Sequence, residues 1–182
     1  MILFRLFSYD DKHDELPQKF PDVVKGAWYY QAVTYLAGIG IIAGYPEGMF
    51  EPDASITRAE FVTMISRFAE LRPGNGVTFS DIAGHWAEGE ILSVAGRRWI
   101  VGYPDDTFRP ENSLTRAEAV TIINRMLNRR VDRADLPGWA PVFSDITADY
   151  WAYADIMEAS IGHNYERKPD GAELWTTKLP EQ

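Results

Sequence analysis

Residues 44–68 read GYPEGMFEPDASITRAEFVTMISRF, and residues 102–126 read GYPDDTFRPENSLTRAEAVTIINRM. The two stretches align without a gap at an offset of 58 residues and are identical at 14 of 25 positions. A duplication of this length is typical of repeat proteins, in which neighbouring units bury their hydrophobic faces against one another. The fold is therefore expected to be built from repeated units.

The repeat extends toward the N-terminus and then restarts a third time. FPDV at residues 20–23 matches FSDI at 79–82, and Trp28 and Trp86 each stand 16 residues before the Gly-Tyr-Pro of their copy. FSDI at 143–146 and Trp151 begin another copy, but neither Gly-Tyr-Pro nor Thr-Arg-Ala-Glu follows them. The third copy is therefore expected to be partial and divergent.

These matches predict four segments. ILFRL at residues 2–6 resembles the end of a repeat, so residues 1–19 are expected to hold a remnant second helix of a preceding repeat and a linker. Complete repeats are expected at 20–71 and 79–130, and a partial repeat with a tail at 143–182. The sequence is thus expected to start part-way through a longer array.

Each complete copy is predicted to fold as a helix, a loop and a second helix. Apolar residues recur at helical spacing after each tryptophan, and that face, with the tryptophan included, is the predicted core stripe. Thr57 with Glu60, and Thr115 with Glu118, have the spacing of a capping box that opens an amphipathic helix. Because two helices cannot bury their faces alone, adjacent units should share a core, and the fold class is predicted to be all-α.

Each capping box places an arginine, Arg58 or Arg116, at the first helical position. The helix dipole disfavours a cation there by roughly 0.3–1 kcal/mol. An anion at the helix start would reverse that effect, because backbone N–H groups, the dipole and a guanidinium would converge on it. Alternatively, each arginine pairs with a carboxylate such as Asp53 or Glu111 and ties the loop to the helix. The residues alone leave both interpretations open.

Three further sets of repeated residues each allow a structural and a ligand-binding interpretation, and the structural one is preferred in each case. The repeated tryptophans can be core residues or platforms for a sugar ring: Trp28, Trp86 and Trp151. Helix capping or an acceptor for sugar hydroxyls fits Asp22, Asp81 and Asp145. A tight turn or the close approach of a ligand to the main chain fits Gly44 and Gly102.

Composition argues against several functional classes. A net charge of -9 without a long run of like charge argues against binding to nucleic acid or to anionic membranes. No segment has the roughly 20 apolar residues that span a membrane, and the apolar start at 1–7 is too short for a signal-peptide core. The absence of cysteine excludes disulfides and thiolate metal sites.

No catalytic or metal-binding motif is found in the sequence. His13, His85 and His163 lie far apart in the chain and are expected to be surface or capping residues. G-x-S-x-G, Walker and Rossmann motifs are absent, and no pair of carboxylates is singled out for glycoside hydrolysis. We therefore predict a protein that is not an enzyme and that uses neither a cofactor nor a metal.

This combination of motifs resembles the S-layer homology domain. The resemblance rests on Phe-x-Asp, the tryptophan, Gly-Tyr-Pro and Thr-Arg-Ala-Glu, which occur in register in both copies. It covers residues 20–129, a half-repeat from 143 to about 161, and the remnant at 1–8. It implies a pseudo-threefold helical bundle in which neighbouring repeats form grooves for a secondary cell-wall polysaccharide, often one that carries pyruvate ketals.

The resemblance also implies roles for single residues. Arg58 and Arg116 would engage the ketal carboxylate, with groove positions at Trp28, Trp86, Trp151, Asp22, Asp81, Asp145, Gly44 and Gly102. Arg58 is expected to face Trp86 across one groove, and Arg116 to face Trp151 and Asp145 across the next. The third repeat has no such arginine, so two working grooves are expected rather than three.

The implied function is the extracellular attachment of a larger exported protein to the cell wall or surface layer. Peptidoglycan is an alternative ligand to the secondary polymer. A structural module that binds other protein chains in a surface layer is the alternative function, and a hydrolase of wall glycan is a third.

Overall fold

The computed structural model describes residues 17–72 and 77–180. These residues contain five α-helices, a short 3-10 helix and two β-strands. The helices are α1 (Tyr30–Gly38), α2 (Arg58–Phe68), α3 (Glu88–Gly96), α4 (Arg116–Met126) and α5 (Tyr153–Ser160), with the 3-10 helix at Arg133–Asp135. The strands are β1 (His163–Arg167) and β2 (Glu173–Lys178). The predicted remnant helix at residues 1–8 lies outside the described residues.

The capping boxes begin α2 and α4 as the sequence predicts. Glu60 N–H donates to Thr57 Oγ1, and the Glu60 carboxylate accepts from the Thr57 N–H. Thr115 and Glu118 repeat both bonds at the start of α4. These reciprocal bonds satisfy two backbone donors that the helix itself leaves unpaired. None of the helices in the described ranges is long and apolar enough to cross a membrane.

The all-α fold class is wrong, because the third copy ends in a β-hairpin instead of a second helix. Strands β1 and β2 pair antiparallel, with His163 opposite Lys178 and Arg167 opposite Glu173. Pro169, Asp170 and Gly171 form the turn, in which Gly171 has a φ of 84°. Pro-Asp-Gly is a turn sequence, and no Thr-Arg-Ala-Glu is present to nucleate a helix there.

The described residues form two compact units. The first holds the residues up to Val94 together with Gly102–Ser113, and the second holds Ala95–Val101 and the residues from Leu114 onward. A core cluster in the first unit contains Phe20, Val23, Val33, Leu36, Ala37, Ile41 and Ile42. In the second unit α4 packs against α5, and a core cluster contains Val131, Met157 and Trp175. Each large apolar side chain in these cores stabilises the fold by about 1.5–3 kcal/mol.

Candidate functional site

The loops that follow Gly-Tyr-Pro are held by carboxylates from the start of their own repeat. Asp22 accepts hydrogen bonds from the N–H groups of Phe50 (3.0 Å) and Glu51 (2.7 Å). Desolvation raises the pKa of Asp22, but these backbone donors outweigh it and leave the pKa below its ordinary value. Asp22 is therefore ionised at neutral pH and fixes the loop, and helix capping is not its role.

The second repeat uses the same device. Asp81 accepts from the N–H groups of Phe108 (2.8 Å) and Arg109 (2.7 Å). Asp145 stands at the equivalent position of the third copy and is exposed, but that copy has no Gly-Tyr-Pro loop to hold. The two complete repeats therefore present their loops in one conformation, and the third does not.

The repeated glycines are required by the close approach of a phenylalanine and a loop carbonyl. A Cβ on Gly44 would lie 2.3 Å from Phe20 and 2.8 Å from the Met49 carbonyl oxygen. A Cβ on Gly102 would lie 2.5 Å from Phe79 and 2.7 Å from the carbonyl oxygen of Thr107. The space beside each glycine is filled by the protein itself, so the packing of each loop requires a residue without a side chain at this position.

Arg58 is buried between α2 and the loop of the second repeat, at 6% exposure. Its Nε donates to the carbonyl oxygen of Phe108 (2.9 Å), and its guanidinium lies 4.6 Å from the Phe108 ring and 5.0 Å from the Tyr103 ring. The main chain of α2 is bound by the same loop: Arg58 N–H donates to Asn112 (2.9 Å) and Ala59 N–H to Pro110 (3.0 Å). The first two N–H groups of α2 are therefore already satisfied.

One of the two sequence interpretations has Arg58 tie the loop to the helix, and the bond from Arg58 Nε to the Phe108 carbonyl oxygen makes such a connection. Of the two carboxylates considered as partners, Glu111 contacts His85 (2.7 Å) and Asp53 is exposed. An anion at the start of α2 would meet the guanidinium without the backbone donors that were expected beside it.

Arg116 occupies the same helix position in a different environment. It is exposed, and no ion pair to it is found within the described ranges. Across the same residues, nothing accepts a hydrogen bond from the N–H groups of Arg116 or Ala117, whereas the Glu118 N–H is capped by Thr115. The third copy forms the β1–β2 hairpin where the second copy forms its loop. The start of α4 therefore combines a guanidinium with two available backbone donors, which suits an anion.

The three repeated tryptophans are exposed, so their assignment to the core is wrong. Trp28 is 76% exposed, and Trp86 and Trp151 are each 61% exposed. Each stands two residues before its helix, in the preceding turn, which turns the ring away from the apolar face. Exposed indole rings at one repeated position provide flat apolar surfaces of the kind that stack on sugar rings.

His85 links Trp86 to the loop of the second repeat. Its Nδ1 accepts from the Ala87 N–H (3.1 Å), which places the ring hydrogen of neutral His85 on Nε2, the atom 2.7 Å from Glu111. The His85 and Trp86 rings are 5.4 Å apart. The capping role expected for His85 is confirmed, and the same residue ties Trp86 to the segment that docks on α2.

A buried polar cluster in the second unit was missed from the sequence. Glu158, His163 and Glu173 bring three potential metal ligands within 4.8 Å of one another. Arg129 Nη2 lies 2.5 Å from Glu158 and 3.0 Å from His163 Nε2, so a guanidinium already supplies the cation at that point. His163 is 6% exposed, and its assignment to the surface is wrong.

The same cluster has a hydrogen-bonded outer layer. Trp175 Nε1 donates to Glu158 (2.9 Å), the His163 ring stacks on Trp175 with centroids 3.9 Å apart, and His163 Nδ1 lies 2.8 Å from the Ile161 carbonyl oxygen. Burial raises the pKa of Glu158 in spite of the Arg129 charge, which lowers it. The cluster joins α5 to both strands and therefore holds the hairpin in place.

Comparison with known proteins identifies both complete repeats. Residues 19–62 and 78–120 each match the family model of the S-layer homology domain. A cellulosome-anchoring protein of Acetivibrio thermocellus is 41% identical over 166 residues, which cover 88% of this chain and 36% of the relative.

Two other relatives extend the comparison. Cell surface glycoprotein 1 of the same organism is 33% identical over 178 residues, covering 91% of this chain and 8% of the relative. A surface layer protein of Brevibacillus choshinensis is 39% identical over 103 residues, covering 53% of this chain and 9% of the relative. The chain therefore spans about a third of the first relative and less than a tenth of the other two.

Proposed function

Because this chain belongs to the S-layer homology family, with two domains in tandem, we propose that it is a non-catalytic module that anchors a larger exported protein to the bacterial cell wall. The ligand is an anionic wall polysaccharide. The names of the relatives, a cellulosome-anchoring protein and surface proteins, support an attachment role outside the cell.

The observation that carries the proposal is the exposure of Trp28, Trp86 and Trp151 at one repeated position. Leaving three indole rings in water forgoes the stabilisation that their burial would give, about 1.5–3 kcal/mol for a large apolar side chain. Aromatic rings also bury against sugar rings, and a repeated set of them suits a repeating glycan. Trp86 lies beside the loop that docks on Arg58, through His85 and Glu111.

The anionic character of the ligand is proposed from the start of α4. Arg116 is exposed there, and the backbone N–H groups of Arg116 and Ala117 have no acceptor in the described parts of the chain. A carboxylate bound at this point would receive charge-assisted hydrogen bonds and would interact favourably with the helix dipole. A pyruvate ketal on a secondary wall polymer carries such a carboxylate, and it is the ligand group we propose.

Four of the repeated residues support the loops and are not proposed to contact the ligand themselves. Asp22 and Asp81 fix the loops, and Gly44 and Gly102 admit the phenylalanines that pack under them. Their proposed contribution to binding is therefore to hold the two loops in shape. Asp145, which holds no loop, is exposed near Trp151 in the chain and is proposed as a hydroxyl acceptor.

Sedimentation with purified wall sacculi tests the proposal. The full chain should pellet with native sacculi and stay in the supernatant when the secondary polymer has been stripped from them. Pelleting that persists with stripped walls would point to peptidoglycan, and self-pelleting without any wall would point to a protein assembly module. Release of reducing sugar from sacculi would contradict the non-catalytic assignment.

A pair of variants separates the sugar platform from the anion contact. Trp86→Ala should weaken pelleting with the native polymer and with a polymer whose carboxylates have been reduced. Arg116→Gln should weaken pelleting with the native polymer alone, because only that polymer offers the anion. Equal pelleting of Arg116→Gln and wild type on the native polymer would remove the anion mechanism at α4.

A further inference from the structure

Three polar side chains of the buried cluster in the second unit come together from three separate elements. Glu158 belongs to α5, His163 to β1 and Glu173 to β2, and their exposures are 2%, 6% and 0%. His163 Nε2 lies 3.3 Å from Glu158 Oε1 and 3.6 Å from Glu173 Oε2. One ligand atom from each residue lies within 4.8 Å of the other two. The cluster therefore concentrates acceptor atoms in the interior, where each of them needs a partner.

Hydrogen bonds around the cluster direct its lone pairs inward. His163 Nδ1 lies 2.8 Å from the Ile161 carbonyl oxygen, which only accepts, so the ring hydrogen of neutral His163 is on Nδ1 and Nε2 carries a lone pair. Trp175 Nε1 donates to Glu158 Oε2, which leaves Oε1 facing His163. Histidines that bind metals are oriented in the same way, with the second ring nitrogen donating to a carbonyl or carboxylate oxygen.

Arg129 Nη2 faces all three acceptors but does not satisfy them. It lies 2.5 Å from Glu158 Oε1, 3.0 Å from His163 Nε2 and 3.4 Å from Glu173 Oε2. An Nη2 group has two hydrogens for these three acceptors. In spite of the short distance, Glu158 Oε1 has no partner with hydrogen-bond geometry anywhere in the described chain. Burial also raises the pKa of Glu158 although Arg129 lowers it, so one guanidinium does not offset the cost of burying this carboxylate.

The spacing of the acceptors matches the coordination of a zinc ion. Zinc binds imidazole nitrogen and carboxylate oxygen at about 2.0–2.2 Å, and a tetrahedral arrangement then places neighbouring ligand atoms about 3.4 Å apart. The two distances from His163 Nε2, 3.3 and 3.6 Å, are close to that value. Two carboxylates also balance the charge of a divalent ion, which one guanidinium does not. Imidazole and carboxylate are both ligands that zinc accepts.

Arg129 is the residue that would give way to the ion. Its side chain is 31% exposed, whereas those of Glu158 and Glu173 are 1% and 0% exposed. The guanidinium carbon of Arg129 lies 5.7 Å from the centroid of the Tyr165 ring, and Tyr165 is 40% exposed. The guanidinium can therefore move toward water and keep its contact with an aromatic ring.

We propose that Glu158, His163 and Glu173 form a structural zinc site that ties β1 and β2 to α5, with Arg129 displaced when the ion binds. The site is independent of the proposed polysaccharide ligand. The chain has no cysteine, so no disulfide holds the hairpin. An ion bound by the folded chain would stabilise it instead. The ligands meet only when β1 pairs with β2, which is why no metal-binding motif is found along the sequence.

The test measures zinc binding and thermal unfolding of the full chain after treatment with a chelator. Zinc chloride alone is the probe, followed by isothermal titration calorimetry and by melting curves in circular dichroism. Wild type is compared with Glu158→Gln, His163→Gln and Arg129→Gln, which remove a ligand charge, the imidazole and the competing guanidinium. His85→Gln is the matched control, because His85 also lies 2.7 Å from a carboxylate, that of Glu111, but outside the cluster.

Wild type should bind one zinc ion per chain. Zinc at about 100 times its dissociation constant should raise the melting temperature by about 5–10 °C. Glu158→Gln and His163→Gln should lose most of this shift, and His85→Gln should keep all of it. Arg129→Gln should bind zinc more tightly than wild type, because no guanidinium has to leave. A cluster that serves only as an ion pair predicts instead that zinc does not restore the stability lost in Arg129→Gln.

X-ray absorption at the zinc edge of loaded wild type gives a measurement that does not depend on the folding of any variant. It should show one imidazole nitrogen together with oxygen ligands at about 2.0–2.2 Å. More than one imidazole on the ion would place the bound zinc elsewhere and overturn the proposal. So would the absence of a zinc-dependent shift in wild type, or an undiminished shift in His163→Gln. Zinc binding by Arg129→Gln but not by wild type would also overturn it, since the guanidinium would then be the resident cation.

Discussion

Arg58 and Arg116 occupy the same position in two identical sequence motifs, but their structural surroundings differ. The same substitution can therefore be compared in two environments. Both follow the capping threonine of an identical Thr-Arg-Ala-Glu motif and begin a helix of eleven residues. The same Arg→Ala change at the same helix position alters the helix propensity of α2 and of α4 by the same amount. Any difference between Arg58→Ala and Arg116→Ala therefore measures what surrounds each side chain.

Arg58→Ala removes interactions that the rest of the protein cannot replace. The lost Nε bond to Phe108 joins a charged donor to a carbonyl oxygen, and bonds of this kind contribute about 1.5–3 kcal/mol. The carbonyl belongs to a fully buried residue and would be left without its donor. Loss of the contacts with the Tyr103 and Phe108 rings adds further cost. We expect a total destabilisation of about 2–4 kcal/mol.

Arg116→Ala should change the free energy of unfolding very little. The side chain is exposed and makes no ion pair with the described residues, and such surface substitutions usually change the free energy of unfolding by less than about 0.5 kcal/mol. Removing a cation from the first helical position relieves an unfavourable interaction with the dipole, by roughly 0.3–1 kcal/mol at most. The expected change is therefore between zero and a slight stabilisation.

Urea denaturation followed by circular dichroism at 222 nm measures both variants against wild type. The free energies of unfolding should differ between the two variants by at least about 2 kcal/mol, with similar m-values. Equal destabilisation by the two substitutions would refute the reasoning, because it would mean that the loop of the second repeat does not stabilise Arg58. A lower free energy of unfolding for Arg116→Ala, with no change for Arg58→Ala, would also contradict the reasoning.

Three other substitutions test separate parts of the structure. Gly102→Ala should lower the free energy of unfolding by about 1–3 kcal/mol, because its Cβ would lie 2.5 Å from Phe79, whereas Gly89→Ala, with open space in α3, should raise it by up to about 1 kcal/mol in urea denaturation. Trp86→Ala should shift the urea midpoint very little but reduce the fraction that pellets with sacculi, since the ring is exposed. Burial raises the pKa of Glu158, so its protonation stabilises the fold below about pH 4.5 and this contribution is lost as the pH rises through the raised folded pKa. Wild type should therefore lose stability relative to Glu158→Gln as the pH rises above about 4.5 and through the raised pKa, as measured by urea midpoints over a pH series.

Each of these expectations has an opposite outcome. Gly102→Ala as stable as Gly89→Ala would mean that Phe79 can move aside without cost. A large drop in the urea midpoint of Trp86→Ala would show that the Trp86 ring is buried in the core and stabilises the fold. A stability difference between wild type and Glu158→Gln that does not change with pH would show that the carboxyl has the same pKa in the folded and unfolded chains.

Local signals in the sequence predicted the helix starts correctly. Thr57 with Glu60 and Thr115 with Glu118 form both bonds of their capping boxes, and both arginines occupy the first helical position. A capping box involves only four consecutive residues, so its geometry depends little on what packs around it. The same is true of Gly44, where the chain must turn before a proline.

The exposure of the tryptophans was not predictable from helical periodicity. Each tryptophan has the right spacing for the apolar face, but α1, α3 and α5 begin two residues after it. Helical spacing does not predict the side-chain direction of a residue that lies outside the helix. Helix boundaries are also the least certain part of a sequence-based assignment. The regular interval of two residues in all three copies shows that the turn, rather than the helix, sets the direction of the ring.

The hairpin was missed for a different reason. Lys168-Pro169-Asp170-Gly171 is a turn sequence, and Tyr165, Trp175 and Thr176 favour strands. These signals were outweighed by the expectation that a third copy would repeat the first two. The cluster of Glu158, His163 and Glu173 then follows from the pairing of β1 with β2, which no spacing along the chain reveals.

The contrast between Arg58 and Arg116 follows from the loop at Gly102–Ser113, which binds the main chain and the arginine of the preceding motif. The third copy has a hairpin after α5 and no Gly-Tyr-Pro loop, and the N–H groups of Arg116 and Ala117 have no acceptor among residues 17–72 and 77–180. The environment of each Thr-Arg-Ala-Glu is thus decided by the repeat that follows it. Two identical motifs consequently have two different environments: a buried arginine bound by the loop that follows, and an exposed arginine beside two backbone donors that have no acceptor in those residues. Loss of polysaccharide binding by Arg116→Gln at unchanged stability would assign the anion contact to the start of α4.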